Sequence, residues 1–522
     1  VSVSHEELEI VRSALACGAG DFGGPLSAAE LGLVRAAGRP AAGAGRGIRA
    51  RIRDGGDPLG ERLCAARSRS RRRTLGAFYT GPAIVDAMLD WVLERRAERL
   101  VDPGCGSGRF AVAAAKRNRA LALVAVDVDP LATLMTRAAL AAVGATNSSV
   151  RNHDYLFARI ERIAGRTAFV GNPPYVRHHE LTPAVKARAS ALASDIGSKI
   201  SGLAGLHVLF YLATLALHAK RGDAGSFVTS AEWLDVRYGD FLRKAFAGEL
   251  GGRGLAVFDP RATPFAGAMT TAAIATFSIG SATRSVTLSQ LADGVAISLR
   301  RGRRCERSAL EAAPRWSALF RGTQEPGETE RIGTLFRVSR GQVTGANGFF
   351  VMSRACASER GILRHCIPLV SSAKEVLEAN GIVRDAPHRL VGLQIGSEAD
   401  LHADEALANY VRAGEAARIH RGYVASRRRP WYALVFPRPP IVGTYMARRA
   451  PCFASNPDGL GLLNVVHGLY PRRPLDERAL EHVVATLNAS RASFVGQGRT
   501  YHGGLEKFEP REMEALRLDL SE

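Results

Sequence analysis

Apolar residues at Ile84, Val85, Met88, Leu89 and Val92 fall on one face of a 3.6-residue spiral, which predicts a helix from about Pro82 to Glu94. Thr80 is its candidate N-cap, with Pro82 in the first turn. Downstream the pattern shortens to buried-strand runs. Arg99–Asp102, Leu121–Val126, a weaker stretch before Asn152, and Ala168–Val170 alternate with helical segments. That alternation predicts a mainly parallel sheet of α/β type. Further strands fit 226–230, 255–258 and 271–279, and an apolar helix fits 206–219. Near the N-terminus only Glu6–Ala16 has helical periodicity. Residues 178–200 are small and polar and read as a mobile loop that closes over a substrate. The rhythm fails over 286–330, and from 331 onward short strands alternate with loops rich in Gly, Pro and Arg. The expected organisation is a helical, Arg-rich segment over 1–73, an α/β domain over 74–285, a linker over 286–330 and a mixed α+β domain over 331–522.

Charge adds a partner to this picture. The 522 residues carry a formal net charge of +20, which favours a polyanion such as nucleic acid over a bland Arg-rich bias. Arg46–Arg73 holds ten Arg against three acids. It reads either as an arm lying on phosphates or as a solvated linker. Seven cysteines are dispersed without a CxxC pair, which points to free thiols in a reducing, cytoplasmic compartment and excludes a zinc ribbon. No apolar run is long enough to span a membrane. His178-His179 lacks further ligands in spacing and reads as a solvent-facing pair, so no metal is expected.

Chemistry concentrates at the ends of the predicted strands. Asp102-Pro103-Gly104-Cys105-Gly106-Ser107-Gly108-Arg109-Phe110 places a glycine loop between a strand and a helix. Such glycines let a ligand approach the backbone, and amide groups there attract its polar end. The third glycine of a dinucleotide fingerprint is replaced by Arg109, and no Gly-Lys-Ser/Thr follows, so neither NAD nor a P-loop fits. Asp127 ends the second strand, where a ribose diol is usually held; otherwise Asp127 or Asp129 simply caps the next helix. Asp154 follows the third strand. The fourth delivers Gly171-Asn172-Pro173-Pro174-Tyr175, in which Gly171 is expected to turn the chain. The Asn172 oxygen and a proline carbonyl can accept the two hydrogens of a planar amino group, and Tyr175 can stack on its ring. The same residues also make a plain Pro-rich turn with a capping Asn. Phe265, in the turn-like 264–270 stretch, is either a second stacking face or core packing.

The C-terminal half offers Arg340-Gly341 with Thr344-Gly345-Ala346-Asn347, Pro430-Trp431-Tyr432, and Gly498-Arg499-Thr500-Tyr501. Arg beside aromatic, Asn and Gly residues suits phosphate grip and base-edge reading. This density favours a nucleic-acid face.

Taken together, Phe78-Tyr79-Thr80, Asp102–Phe110, Asp127, Asp154, Asn172–Tyr175 and Phe265 carry a family likeness. The chain resembles the class I S-adenosylmethionine-dependent DNA methyltransferases that act on adenine N6, of the type with a C-terminal target-recognition domain. The resemblance spans roughly 74–510, and its specificity lies in pairing Asp-Pro-Gly-Cys-Gly-Ser-Gly with Asn-Pro-Pro-Tyr. It implies a Rossmann-like catalytic domain and S-adenosyl-L-methionine as cofactor. It implies that Phe78, Tyr79 and Thr80 border the methionine part. Asp102, Pro103, Gly104, Gly106, Gly108 and Phe110 would lie at its amino-acid end, Asp127 at the ribose, and Asp154 near the adenine or target amine. Asn172 and Pro173 would bind the target amine, with Pro174 completing the motif and Tyr175 and Phe265 sandwiching the base. Arg340, Gly345, Asn347, Trp431 and Arg499 would meet double-stranded DNA. One departure is that the family's Asp-Leu-Tyr stands here as Gly205-Leu206-His207.

The implied activity is site-specific methyl transfer to a flipped adenine, in restriction–modification or phage defence. A rival is glutamine-amide methylation of a protein, which uses the same Asn-Pro-Pro-Tyr but without a long basic C-terminal domain. Methylation of adenine in RNA and DNA binding without catalysis are two further rivals. No paired-acid nuclease pattern stands out, so any restriction endonuclease partner is expected to be a separate chain.

Overall fold

The computed structural model describes residues 3–41, 43–68, 80–259, 271–281, 283–292, 297–313, 315–320, 329–395, 398–447, 450–495, 497–501 and 505–519. The chain divides into two compact units, Val1–Thr323 and Gln324–Glu522.

The first unit is built on strands β1 (Arg99–Pro103), β2 (Ala122–Asp127), β3 (Ser148–Asn152), β4 (Thr167–Gly171), β5 (Ala224–Ser230), β6 (Gly252–Phe258), β7 (Ala272–Ser278), β8 (Ser285–Leu291) and β9 (Arg303–Glu306). They form one sheet in the order β3-β2-β1-β4-β5-β7-β6-β8-β9. The β3-β2-β1-β4-β5 run is parallel. β7 is inserted antiparallel between β5 and β6. The strand order reverses between β1 and β4, and at such a switch point the carboxyl ends of neighbouring strands diverge and leave a crevice.

Successive side chains of a strand face opposite sides of the sheet, and here both sides are covered. Val101 and Phe169 enter one core with Tyr155, Phe210 and Phe227. Leu100, Ala168 and Val170 enter the other with Ile84, Met88 and Leu89. The last three belong to the helix Pro82–Leu93, whose apolar stripe the periodicity anticipates. Its N-cap is Gly81 without a side-chain hydrogen bond, not Thr80.

Several expectations change. The N-terminal segment forms helices α1 (His5–Ala16), α2 (Ala28–Ala37), α3 (Arg46–Arg53) and α4 (Pro58–Ala66), of which α1 matches the helix expected over Glu6–Ala16. The Arg-rich stretch from Arg46 is, over its described residues, neither an arm nor a linker but supplies α3 and α4. Ile10, Val11, Ile48, Ile52 and Leu59 share a core with Leu131, Leu134 and Met135 of the helix Pro130–Val143. Burial of these apolar positions outweighs the solvation of the arginines between them, which snorkel outward. Residues 178–200 contain the helix Pro183–Asp195, because Thr182 caps it and Ala189, Leu192 and Ala193 are buried. The expected linker over 286–330 contributes β8 and β9, since Val286, Leu288 and Cys305 complete the core. Gly171 does not turn the chain. It closes β4 against β1, and a Cβ there would sit 3.0 Å from the Pro103 carbonyl oxygen.

The second unit mixes helices with small sheets. One four-stranded sheet joins Phe336–Arg340, Val466–Pro471, Ile441–Thr444 and Phe453–Ser455 in that spatial order. Another joins Val351–Met352, Val391–Leu393, Cys366–Val370 and Gly461–Leu462. Helices Glu405–Ala416 and Glu477–Ala489 pack on this framework through Leu407 and Val411, and through Val484 and Leu487. Among the described residues no helix is long and apolar enough to cross a membrane.

Candidate active site

The loop between β1 and the helix Arg109–Arg117 takes its shape from glycines in the left-handed region, with φ of 72° at Gly104, 57° at Gly106 and 84° at Gly108. Side chains other than hydrogen strain this region. The packing reasons differ: a Cβ at Gly108 would meet Thr136 at 3.1 Å, whereas one at Gly106 would meet nothing within 4 Å. Several of the loop's amides bond inside the protein: those of Gly104 and Cys105 donate to the Val126 carbonyl, and that of Gly108 to Cys105. The Gly106 amide donates to Asp127 Oδ2 at 2.9 Å. The loop also opens the bare face of Gly106 to a ligand.

Three carboxylates surround that face. Asp127 ends β2, and its Oδ1 also accepts the Asp129 amide at 2.9 Å. Burial pushes its carboxyl up to about 6, with Asp129 adding to the rise and the two amides and Arg67 opposing it. Asp129 is the helix cap, accepting the Leu131 amide, and it pairs with Arg67 at 2.5 Å. Asp154 accepts the Leu156 amide just past β3. Beneath the loop, Asp102 is fully buried, and desolvation raises its carboxyl to about 8 despite the nearby Ala111 amide.

Asn172 leaves the end of β4 toward the same place. A Cβ built on Gly104 would lie 3.5 Å from Pro174 Cδ and 3.9 Å from the Asn172 carbonyl oxygen, so the two loops touch. Asn172 Nδ2 donates to Thr80 Oγ1 at 3.1 Å, which fixes the plane of the amide, and its oxygen is buried. Tyr175 is half-buried, stacked on the His207 imidazole at 6.2 Å between centroids. Burial holds the Tyr175 hydroxyl well above its usual range and lowers His207 to about 4, so the imidazole is neutral.

One open crevice brings together Thr80, Gly104, Gly106, Phe110, Asp127, Asp154, Asn172 and Pro174 of the residues expected from sequence. Pro103 and Pro173 are buried and Gly108 caps the following helix; none of the three lines the crevice, nor do Asp102 and Tyr175. Phe78, Tyr79 and Phe265 lie outside the described residues. Sequence reasoning missed the fourth wall, where Gly60, Leu63, Cys64 and Arg67 of the α4 segment line the same crevice. Nothing in their local pattern marks them. Among the described residues no group of His, Cys, Asp or Glu is placed to hold a metal ion.

The expected DNA-contact residues lie in the second unit with mixed surroundings. Arg340 is half-exposed and pairs with Glu509. Asn347 is exposed and accepts the Thr344 hydroxyl. Gly345 has φ of 78°, and a Cβ there would meet Val424 at 2.6 Å, so packing alone requires glycine. Trp431 is half-exposed, packs against Phe349 and Phe350, and donates its indole N–H to Glu415. Arg499 begins a strand, and its side chain lies outside the described residues. The exposed aromatic nearby is Tyr423, with the Arg427 guanidinium 3.9 Å from its ring centre.

A glycine loop and an Asn-Pro-Pro-Tyr turn on one crevice invite comparison with known proteins. The model of the Eco57I restriction-modification methylase matches residues 144–249, and that of the methyltransferase small domain matches 85–196. The model of the Type II methyltransferase M.Eco57I C-terminal domain matches 312–521. The chain is 40% identical to the Type II methyltransferase M.XamI of Xanthomonas campestris pv. amaranthicola, over 88% of this chain and 86% of that protein. It belongs to the Type II methyltransferases of restriction–modification systems. Type II methyltransferase M.AccI of Acinetobacter calcoaceticus is a more distant member, 22% identical over 87% of each protein. The fold is also that of the Type IIL restriction-modification enzyme MmeI, solved in complex with DNA, at 12% identity and a TM-score of 0.61 over 87% of this chain and 70% of that one. As a Type II methyltransferase of restriction–modification type the chain is a DNA-modifying enzyme.

Proposed function

We propose that this methyltransferase transfers a methyl group from S-adenosyl-L-methionine to adenine N6 within a specific site of double-stranded DNA. The observation that carries the reading is that Asn172 opens onto the crevice lined by Gly104, Gly106 and Asp127. The donor set suits the cofactor. Asp127 offers carboxylate oxygens to a ribose diol, the open face of Gly106 admits a methionine portion, and Leu63, Val128 and Met135 give apolar walls to an adenine beside Asp154. The acidic lining favours a cation over the many anions of a cell. Bound there, the sulfonium supplies an electrophilic methyl group.

The chain's task is to make a poor nucleophile attack. The adenine amino lone pair is delocalised into the ring. Asn172 Oδ1 and the Pro173 carbonyl each accept one N–H and favour a pyramidal nitrogen whose lone pair points outward. The Thr80 hydroxyl keeps the Asn172 amide in the accepting orientation. Tyr175 and Phe265 stack on the base once it is flipped out of the duplex, which offsets part of the unstacking cost. Alignment supplies most of the acceleration. Residues 331–522, with Arg340, Asn347 and Arg499, choose the DNA site. A cognate endonuclease on another chain, cutting the site that this one protects in the cytoplasm, belongs to the same reading.

The test is to incubate the protein with plasmid DNA and labelled S-adenosyl-L-methionine, digest the DNA and separate the nucleosides. Label in N6-methyladenine supports the proposal. Label in a methylated cytosine, or in RNA or protein but not DNA, overturns it.

A further inference from the structure

Asp57 lies upstream of every expected motif, yet it is 7% exposed and divides its carboxylate between two jobs. Oδ1 accepts the Gly60 amide at 2.9 Å and caps α4. Oδ2 accepts the Ser107 hydroxyl at 2.5 Å and Arg109 Nε at 3.1 Å, both from the glycine-loop segment. The same Arg109 gives Nη1 to the Thr80 carbonyl at 2.6 Å, and Thr80 Oγ1 holds Asn172 Nδ2 at 3.1 Å. An unbroken run of polar contacts thus leads from an N-terminal helix, along the loop, to the amide of Asn172. The helix is shaped to admit it: a Cβ at Gly60 would lie 2.3 Å from Asp57 Oδ2.

We propose that Asp57 is a positioning residue for methyl transfer, holding the glycine loop in its cofactor-ready shape and, through Arg109 and Thr80, the Asn172 amide in its accepting orientation. The proposal rests on the function proposed above. A buried charged acceptor fixes such donors more firmly than a neutral group does, and a site held from outside needs less ordering when its ligand arrives. The N-terminal helices are on this account part of the cofactor site.

Two variants separate positioning from folding. Asp57→Ser keeps an oxygen for capping α4, since Ser is as good an N-cap as Asp, but removes the oxygen facing Ser107 and Arg109. Asp57→Asn keeps the cap and places an amide nitrogen against Arg109. In the full chain both should melt lower, because Arg109 loses its buried partner, so binding and exchange are read well below each variant's melting temperature. Calorimetric binding of S-adenosyl-L-methionine should weaken about tenfold, the loss of one such charged hydrogen bond. Amide hydrogen exchange over residues 104–109 should quicken without cofactor. Wild-type binding and exchange in either folded variant overturns the proposal, as does weakening that merely tracks a lower melting temperature. If the wild type itself binds no S-adenosyl-L-methionine, the functional reading fails, and exchange alone still decides whether Asp57 holds the loop.

Discussion

If Asp127 holds the ribose as proposed, its carboxyl, held up to about 6, makes cofactor binding sensitive to pH. On that reading a ribose diol donates to this group, so the ionised form is the one that binds. Affinity for S-adenosyl-L-methionine should be level above about pH 7 and fall toward tenfold per pH unit once below about 6, as one proton must be released. Calorimetry between pH 5 and 8 checks this, and Asp127→Asn should bind weakly with no such slope. An affinity unchanged across the range would contradict the ribose role. Asp102 gives the companion case in stability. Its carboxyl is raised to about 8 in the fold, above the unfolded value near 4. Its contribution is full below about 4 and is lost as pH rises through about 8, because the fold then buries a charge. In the cofactor-free protein, Asp102→Asn should therefore shrink the fall in melting temperature between pH 6 and 8.5. Both residues are legible in the sequence, because each sits at a strand end beside a glycine loop. Asp57 is not, since its partners Ser107 and Arg109 are fifty residues away and a capping Asp looks the same whatever else it holds. At Trp431 the sequence shows an aromatic beside arginines, and only the fold reveals Phe349 and Phe350 against it.

At the scale of elements, a buried ion pair helps to tie the N-terminal helices to the sheet-covering helix Pro130–Val143. Arg137 lies within the helix Pro130–Val143 and is fully buried. It pairs with Glu30 of α2 at 2.8 Å and donates to the carbonyls of Phe22, Gly24, Pro25 and Val150. Removing one partner of such a pair strands the other in the interior. Glu30→Ala should cost roughly 3–5 kcal/mol in denaturant unfolding, well above an exposed pair such as Arg51–Glu61. A loss under about 1 kcal/mol would mean that the helices are not bound through this pair. The sheet was readable because strand and helix periods differ and each β–α step carries its own turn residues. Of the N-terminal helices only α1 was, over Glu6–Ala16; in α3 and α4 the arginines mask the few apolar positions that dock them. The Pro183–Asp195 helix was hidden by small residues, although Thr182-Pro183 is a capping signal in plain view.

At the scale of the whole molecule, the net charge of +20 governs DNA affinity but not cofactor affinity. Displaced counterions make DNA binding salt-dependent. With several phosphates neutralised, affinity should fall by about a thousandfold or more between 50 and 200 mM salt. Binding of S-adenosyl-L-methionine in its own crevice should change little over that range, and calorimetry and fluorescence anisotropy on one preparation can compare the two. Composition signals the polyanion, and the two motifs signal the chemistry. The sequence motif that would name the DNA site is not legible, because base reading depends on which loop side chains reach a groove. The most direct test of the account joins its two halves at Asn172. In Asn172→Ala, methyl transfer to cognate DNA should be lost while the dissociation constant for S-adenosyl-L-methionine stays within a few-fold of wild type, about 1 kcal/mol. Transfer at the wild-type rate in that variant would contradict the central claim.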